Sequence, residues 1–233
     1  MQCGDYGYRA VETGAEIIEY YGPGGEISLP ETLDGLPVTS VGLCAFIMRA
    51  DLTAVTLPGT IRHIGGSAFE GCAALEKVTM PDGLESVEYR AFAACTALTA
   101  VDFPDSVTVL GGGVLAGCTS LTSVHLPAQL TAMPMQALMG CTSLETLDLP
   151  DTLTRIDHEA LRGCTHLTAL TIPDTVREIG HDALTGCARL ETLTLPDALH
   201  GHERDLRVGL GLMIEGETLI VGSYLGQAER GGT

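Results

Sequence analysis

The most constraining feature of this sequence is a strict 23-residue period. Prolines recur at this interval at Pro58, Pro81, Pro104, Pro127, Pro150, Pro173 and Pro196. Between successive prolines, apolar residues return to the same positions, and each unit ends in a Leu-x-x-Leu-x-Leu pattern or a close variant of it. A fixed period of this length is typical of a solenoid, in which each unit buries its apolar face only by stacking on its neighbours.

The unit at residues 81–103 shows why stacking is required. Its apolar positions are Leu84, Val87, Ala91, Phe92, Cys95, Leu98, Val101 and Phe103. Each of these side chains contributes roughly 1.5–3 kcal/mol when it is fully buried. Ordering the backbone costs roughly 1–2 kcal/mol for every residue of the unit. A single unit therefore cannot fold alone, and the array folds only because neighbouring units close each other's apolar faces.

The pattern within a unit predicts short strands that pair in parallel. The alternating segment at residues 75–80 is typical of a strand, and a second short strand is predicted at residues 84–87. The Ala-Phe/Leu-x-Gly-Cys segment that follows is predicted to form one helical or 3₁₀ turn. The predicted fold class is therefore α/β: a right-handed leucine-rich-repeat solenoid with short parallel strands, one short helical turn per repeat and hairpin caps at both ends.

The units resemble the BspA-like family of leucine-rich repeats. The resemblance rests on Ile-Gly-x-x-Ala-Phe-x-Gly-Cys at residues 64–72, followed by Leu-x-x-Val-x-Met-Pro at residues 75–81. The run at residues 27–42 is similar to the opening repeat of that family. The resemblance implies a surface or secreted protein of bacteria or some protists that adheres to host proteins or to other cells.

Departures from the period divide the chain into four parts of one domain. Residues 1–28 are predicted to form a β-hairpin cap, and residues 29–57 a first repeat that is longer than the others, since Pro30 and Pro58 are 28 residues apart. Residues 58–195 contain six 23-residue repeats. Residues 196–233 are predicted to hold a degenerate repeat, a second hairpin cap and a tail. The caps are expected because the open ends of a solenoid core need polar covers.

The charge balance argues against two classes of partner. A formal net charge of −18 opposes binding to nucleic acid and to anionic membrane surfaces. No apolar run reaches the roughly 18 residues of a membrane-spanning helix, and the N-terminus lacks the basic start and apolar core of a signal peptide. The protein is expected to be extracellular or at the cell surface, with a signal removed before residue 1, or alternatively cytoplasmic. The family resemblance favours the former.

Six cysteines occupy one position of the repeat. They are Cys72, Cys95, Cys118, Cys141, Cys164 and Cys187. Equivalent side chains of stacked units point in parallel, which separates their Cβ atoms by more than a disulfide prefers. No Cys-x-x-Cys pair indicates zinc binding. The six residues are therefore predicted to be buried free thiols that act as small apolar groups.

The outward positions of the Leu-x-x-Leu-x-Leu strands define the candidate binding face. Its residues are Lys77, Asp102, Ser123, His125, Thr146 and Asp148. In this register His125 lies between two carboxylates, each roughly 4.8 Å away, and close to Ser123. These residues do not predict a catalytic triad, because the amides of a flat sheet are used in its ladder and cannot form an oxyanion hole. The face is predicted to bind a partner through charged and polar side chains.

Two further surface features carry weaker signals. His158, Glu159, His181 and Asp182 meet at one corner and have ligand types that suit zinc, but loops are commonly polar, and no metal and no cofactor are predicted. A glycine run at residues 111–113 aligns beside Pro134 and Met135 of the next unit. The sequence therefore predicts a notch in the surface at this place, which either reflects loose packing or accepts a ligand.

The favoured function is a non-enzymatic module that binds a protein or a cell-surface glycan, because a solenoid offers an extended rigid face. One alternative is a structural spacer within a larger surface protein. The hairpins predicted at both ends argue against that spacer, since a segment meant to continue needs no closing. The other alternative is a cytoplasmic protein-interaction scaffold.

Overall fold

The computed structural model describes residues 1–196 and, beyond them, the backbone of Met213–Glu215 and Thr218–Ile220. Over these residues the chain is a β-solenoid of stacked coils with parallel strands, as the period predicts. The parts of the predicted C-terminal repeat, cap and tail at residues 197–212, 216–217 and 221–233 lie outside the described residues.

The first strands form the N-terminal end of the stack. They are β1 (Gln2–Cys3), β2 (Tyr6–Val11), β3 (Gly14–Tyr20), β4 (Gly25–Ser28), β5 (Thr32–Leu33) and β6 (Leu36–Val41). Strands β2 and β3 are antiparallel, and β3 then pairs in parallel with β6. The N-terminal hairpin is thus hydrogen-bonded directly to the first coil.

The remaining strands follow in pairs, most of them two or three residues long. They are β7 (Leu52–Thr56), β8 (His63–Ile64), β9 (Lys77–Thr79), β10 (Ser86–Val87), β11 (Ala100–Asp102), β12 (Val109–Leu110), β13 (Ser123–His125), β14 (Ala132–Met133), β15 (Arg155–Ile156), β16 (Ala169–Thr171), β17 (Glu178–Ile179), β18 (Thr192–Thr194), β19 (Met213–Glu215) and β20 (Thr218–Ile220). Strand β20 pairs antiparallel with both β18 and β19.

Two rows of strands run along the stack. The leucine-motif sheet contains the Leu-x-x-Leu-x-Leu segments, which form β4, β7, β9, β11, β13, β16 and β18. The post-proline sheet contains β6 and the strands that follow each repeat proline, which are β8, β10, β12, β14, β15 and β17. Strands that pair within a row are parallel and join equivalent positions of successive repeats, so that Asp102 of β11 pairs with His125 of β13. Equivalent residues of successive repeats are therefore surface neighbours.

Both sheets are interrupted between the unit at residues 104–126 and the unit at residues 127–149. Residues 145–148 form no strand, so the ladder of the leucine-motif sheet ends at β13, and β12 and β14 belong to separate ladders. The turns between the sheets remain joined, because Gly113 and Gly117 donate their N–H groups to Met135 O and Met139 O at 2.8 and 2.7 Å. Among the repeats that the structure describes, no other junction is interrupted on both sides.

The predicted helical turn is wrong, since the described residues contain no helix. In each Ala-Phe/Leu-x-Gly-Cys segment, alternate amides serve different partners. Phe69 donates its N–H to Ala91 O of the next coil at 2.8 Å, whereas Glu70 donates to Ser67 O three residues back at 3.2 Å. Ser67 and Gly71 have φ values of 53° and 73°. Because these residues are left-handed and alternate amides bond to the next coil, the i to i−4 hydrogen bonds of a helix do not form.

The core is built from columns of equivalent side chains. The eight apolar residues predicted for the unit at residues 81–103 are all at most 3% exposed. An aromatic column begins at Tyr20 and continues through Phe46, Phe69 and Phe92, with ring centroids 5.1, 4.9 and 5.3 Å apart. Each column joins successive coils, which is how a unit that cannot fold alone becomes stable in the stack.

Arg49 closes the N-terminal end of the cysteine column, at the position that a cysteine occupies in later repeats. Its guanidinium donates to Tyr20 O at 3.0 Å and to Gly22 O at 2.7 Å, and it forms an ion pair with Asp51 at 2.9 Å. The Cζ atom lies 5.0 Å from the centre of the Tyr20 ring. An arginine therefore binds two backbone carbonyl groups at the end of the N-terminal hairpin.

Candidate functional site

The six residues predicted for the binding face are all exposed. Lys77 lies on β9, Asp102 on β11, and Ser123 and His125 on β13. The parallel register brings Asp102 beside His125 and Ala100 beside Ser123. Thr146 and Asp148 lie in the segment at residues 145–148, which forms no strand. Strand pairing therefore places Asp102 next to His125, but no strand pairing joins His125 to Asp148.

The ion pair of His125 involves a residue outside the predicted column. Its Nε2 atom lies 3.7 Å from Oδ1 of Asp105, and both side chains are more than half exposed. The same Asp105 Oδ1 accepts a hydrogen bond from the N–H of Ala128 at 2.9 Å, which joins the corner of one coil to the next. Sequence reasoning missed Asp105 as a site residue because the Pro-Asp corners indicate turns. The only available signal was that these corners are adjacent to the strand ends.

Two shallow depressions meet on this face. One, of about 400 Å³, is lined by Met80, Asp82, Asp102, Phe103, Pro104, Asp105, Ser106 and His125. The other, of about 690 Å³, is lined by Ala100, Val101, Asp102, Ser123, Val124, His125, Leu126, Ala128, Asp148, Leu149 and Pro150. Both include Asp102 and His125, and the larger one lies where the leucine-motif sheet is interrupted. The pair forms an open acidic surface with apolar and polar walls.

This arrangement is suited to binding rather than to nucleophilic catalysis. His125 forms its ion pair with Asp105 and makes no hydrogen bond with Ser123. The larger depression is open and shallow, whereas a nucleophilic site needs a base in hydrogen-bond contact with the nucleophile and donors aimed at an oxyanion. Three carboxylates around His125 favour a partner that carries positive charge.

The histidine corner is held together by contacts within the protein. The rings of His158 and His181 are stacked with centroids 5.5 Å apart, and the N–H of His181 donates to Nδ1 of His158 at 3.0 Å. Glu159 accepts a hydrogen bond from Gln136 at 2.7 Å and is paired with Arg162. Asp182 accepts from the Thr185 hydroxyl at 2.8 Å. Within the described part of the chain, no group of three or more His, Cys, Asp or Glu side chains is arranged to hold a metal ion.

The ladder cysteines are buried and free, which confirms the sequence prediction. Each thiol donates to a carbonyl of the preceding coil; Cys72 Sγ, for example, lies 3.1 Å from Phe46 O, and Cys118 Sγ lies 3.2 Å from Phe92 O. Burial raises the pKa of Cys72 to about 11 and that of Cys118 to about 12. Because the thiolate is the reactive form, these cysteines do not provide a nucleophile.

Glu70 forms an ion pair with an arginine of the next coil. Hydrogen bonds from Arg90 and Ser67 lower the pKa of the Glu70 carboxyl, with the contribution of Arg90 being the larger. Arg90 lies 2.6 Å from Glu70. Arg90 and Glu70 therefore neutralise each other.

Comparison with known families gives a match over most of the repeat region. A family description, the BspA type leucine rich repeat region, matches residues 39–165 and 131–204, with six copies of the repeat. No curated protein sequence matches the chain. In the residues that the structure describes, no helix is long and apolar enough to cross a membrane.

Solved structures of bacterial leucine-rich repeat proteins are similar to this chain. A leucine-rich repeat protein of T. pallidum is 31% identical, with a TM-score of 0.76 over 88% of this chain and 95% of that one. One from Bacteroides ovatus is 24% identical, with a TM-score of 0.65 over 85% of this chain and 59% of that one. The pneumococcal vaccine antigen PcpA is 21% identical, with a TM-score of 0.51 over 87% of this chain and 50% of that one.

Proposed function

Because this chain belongs to the BspA-type leucine-rich repeat family, we propose that it is a non-enzymatic protein-binding module of a bacterial surface or secreted protein. Repeat proteins of this family are typically scaffolds without catalytic activity, and they include cell-surface proteins. The binding surface is the pair of depressions around Asp102, Asp105 and His125.

The observation that carries this proposal is the continuity of the two depressions. They share Asp102 and His125 and together extend from Asp82 to Asp148 across consecutive repeats. Small-molecule sites are usually concave and enclose most of their ligand. An open surface that crosses several repeats instead fits a macromolecule, which can contact side chains on many coils at once.

The charge of the face favours a cationic protein over a glycan. Asp82, Asp102, Asp105 and Asp148 line the depressions, and the whole chain carries a net charge of −18. Carboxylates attract a positively charged partner and increase its association rate, but they repel the acidic sugars of cell surfaces. The six residues of the predicted binding face also include no Phe, Tyr or Trp on which a sugar ring could stack.

The test is binding of the full chain to an array of purified extracellular matrix proteins and cell-surface glycans. The double variant Asp102→Asn/Asp105→Asn removes two carboxylates that surround His125, and Asp174→Asn removes an exposed corner carboxylate outside both depressions. We expect the double variant to weaken protein binding about tenfold or more, while Asp174→Asn binds like the wild type. Binding only to glycans, or equal losses in the two variants, would contradict the proposal.

A further inference from the structure

A second candidate surface lies on the post-proline sheet, where its ladder is interrupted between β12 and β14. The opening there has a volume of about 450 Å³ and is called the notch. It is lined by Tyr89, Thr108, Val109, Leu110, Gly112, Leu130, Thr131, Ala132, Pro134, Met135, Arg155 and Asp157. None of these residues lines the two acidic depressions of the leucine-motif sheet.

Pro134 explains why the ladder stops at the notch. In the neighbouring repeats the residue at this position donates its N–H to the preceding coil: Gly111 to Val87 O at 2.7 Å and Asp157 to Met133 O at 2.9 Å. Proline has no N–H group. The carbonyl of Leu110 therefore faces the notch without the donor that its equivalents receive.

A second ladder hydrogen bond is missing at the same place. Thr108 and Thr154 donate their N–H groups to Glu85 O and Thr131 O at 2.9 and 2.8 Å, but the equivalent bond from Thr131 to Thr108 O is not formed. The carbonyls of Thr108 and Leu110 lie two residues apart and point to the same edge of the strand. The notch thus presents two backbone acceptors in need of donors.

The walls of the notch are apolar and exposed. The exposed fractions of Tyr89, Val109 and Met135 are 50%, 51% and 43%. Gly112 leaves space between Tyr89 and Met135, because a Cβ atom there would lie 3.5 Å from the Tyr89 ring and 3.2 Å from Met135 O. The surface therefore combines an accessible aromatic ring with unpaired acceptors.

The charge around the notch favours a cation. Glu85 and Glu88 are exposed on the coil before it. The two nearby arginines are already neutralised, since Arg90 is paired with Glu70 at 2.6 Å and Arg155 with Asp157 at 3.2 Å. A positively charged group that enters the notch is therefore attracted by these carboxylates, and neither of the two paired arginines competes with it.

A similar set of carbonyl acceptors, an aromatic ring and a carboxylate occurs at the N-terminal end of the stack, where Arg49 binds all of them. Its guanidinium binds two carbonyls of the N-terminal hairpin, lies over the ring of Tyr20 and pairs with Asp51. The planar guanidinium is suited to all three contacts, whereas an ammonium group offers a single compact charge. The notch has the acceptors, the ring and nearby carboxylates, but none of the described arginines takes that role, since Arg155 of its wall is paired with Asp157.

We propose that the notch binds an arginine side chain presented by a basic segment of a partner polypeptide. The guanidinium stacks on Tyr89 and donates to the carbonyls at the edge of β12, and the aliphatic part of the side chain contacts Val109 and Met135. Glu85 and Glu88 bind further basic residues of the segment. This site is separate from the acidic depressions and does not depend on their function.

The test is selection of short random peptides on the full chain, followed by fluorescence anisotropy with the enriched peptides. We expect enriched peptides to contain an arginine with basic neighbours, and replacing that arginine with lysine to weaken binding about tenfold. Tyr89→Leu removes the exposed ring, and Pro134→Ala supplies the N–H that closes the ladder. Both changes should weaken binding by about tenfold or more.

Two controls separate this site from other surfaces. Tyr21→Leu changes another exposed tyrosine, on the N-terminal side of the stack, and Asp174→Asn removes an exposed carboxylate that lines neither the notch nor the acidic depressions. Both should bind the peptides like the wild type, and thermal unfolding checks that every variant is folded. The proposal is overturned if no peptide is enriched, if arginine is dispensable, if Tyr89→Leu and Pro134→Ala bind normally, or if either control loses binding.

Discussion

At the residue scale, the ladder cysteines combine two functions in the core. Each fills a small apolar space and donates its thiol hydrogen to a carbonyl of the preceding coil, as Cys187 does to Leu161 O at 3.3 Å. Cysteine is small enough for the crowded column and still has a donor. Arg49 takes the same position where the neighbour is a hairpin, and it binds two backbone carbonyls there.

These thiols make stability depend on pH. Burial raises the pKa of Cys118 and of Cys187 to about 12, whereas the thiol of an unfolded chain has a pKa of about 8.5. The folded state therefore keeps thiol protons that the unfolded state releases. This stabilisation is complete below about pH 8.5 and is lost as the pH rises toward the folded pKa.

We expect the free energy of unfolding to fall above about pH 8.5, by roughly 1.4 kcal/mol per pH unit for each buried thiol. Urea unfolding from neutral to alkaline pH measures this slope. Cys118→Ala removes one titrating group, so its stability should decline less steeply than that of the wild type. Equal stability at neutral and alkaline pH would contradict the assignment of buried, protonated thiols.

The left-handed residue Ala94 is a second test at this scale. Its φ is 57°, and the equivalent residues Gly117 and Gly140 are glycines with positive φ. A non-glycine residue in this region costs roughly 1–2 kcal/mol, part of which is offset by the entropy of glycine in the unfolded chain. Ala94→Gly should therefore stabilise the protein by about 0.5–1 kcal/mol, measured by urea unfolding. Ala93→Gly, next to it and buried, should destabilise it.

At the element scale, the turns between the sheets hold the coils together where the sheets do not. Alternate amides of these turns bond to the next coil, including at the junction of residues 104–126 with residues 127–149. Strand ladders are missing there on both sides. At that junction the backbone hydrogen bonds between coils are therefore mainly those of the turns.

Hydrogen exchange distinguishes the interrupted junction from its neighbour. The amide of Thr154 is bonded to Thr131 O at 2.8 Å, whereas the equivalent amide of Thr131 has no bond to Thr108 O. We expect the Thr131 amide to exchange about tenfold faster or more, because it needs no opening of a hydrogen bond. Comparable protection of the two amides, measured by NMR, would show that the ladder is intact.

Arg49 adds side-chain hydrogen bonds between the N-terminal hairpin and the first coil to the strand pairing of β3 with β6. Arg49→Ala leaves Tyr20 O and Gly22 O without donors and removes the pair with Asp51, so we expect a loss of about 1–3 kcal/mol in the free energy of unfolding. Arg9→Ala also removes an ion pair, with Glu16, but its side chain is 65% exposed and the change should have little effect. Equal losses in the two variants would contradict this role of Arg49.

The repeat period predicted the architecture because it depends on many residues at once. Every apolar position assigned to the unit at residues 81–103 is buried. The turn segment was predicted incorrectly because adjacent apolar residues such as Ala91 and Phe92, followed by Cys95, also match helical spacing. At one position of the turn, the positive φ could not be predicted, because the residues that adopt it there, such as Ser67 and Arg90, are not glycine.

The candidate site was predictable only in part. The register of equivalent residues brings Asp102 and His125 together, as the period requires. The pairing of His125 with Asp105 crosses from a strand to a coil corner, and periodicity carries no information about that distance. Nothing in the residues at 145–148 explains why they form no strand. Pro134 is different, because its missing N–H accounts directly for the end of the other ladder.

At the scale of the whole molecule, the protein is a stack in which each coil contacts its neighbours and little else. Stability is then a sum of terms for each repeat and for each contact between repeats. The larger acidic depression and the notch both lie at the junction where the ladders are interrupted. The same junction therefore has an open depression on each of the two sheets.

The most direct test of the stacked architecture is thermal unfolding of two deletion variants, monitored by circular dichroism. Removing residues 150–172 deletes one whole 23-residue unit and leaves the flanking coils in register. Removing residues 150–160 deletes about half a unit and shifts every following core side chain. The whole-unit variant should unfold cooperatively at a lower temperature than the wild type, whereas the half-unit variant should not. Loss of folding in the whole-unit variant, or equal behaviour of the two, would contradict the architecture.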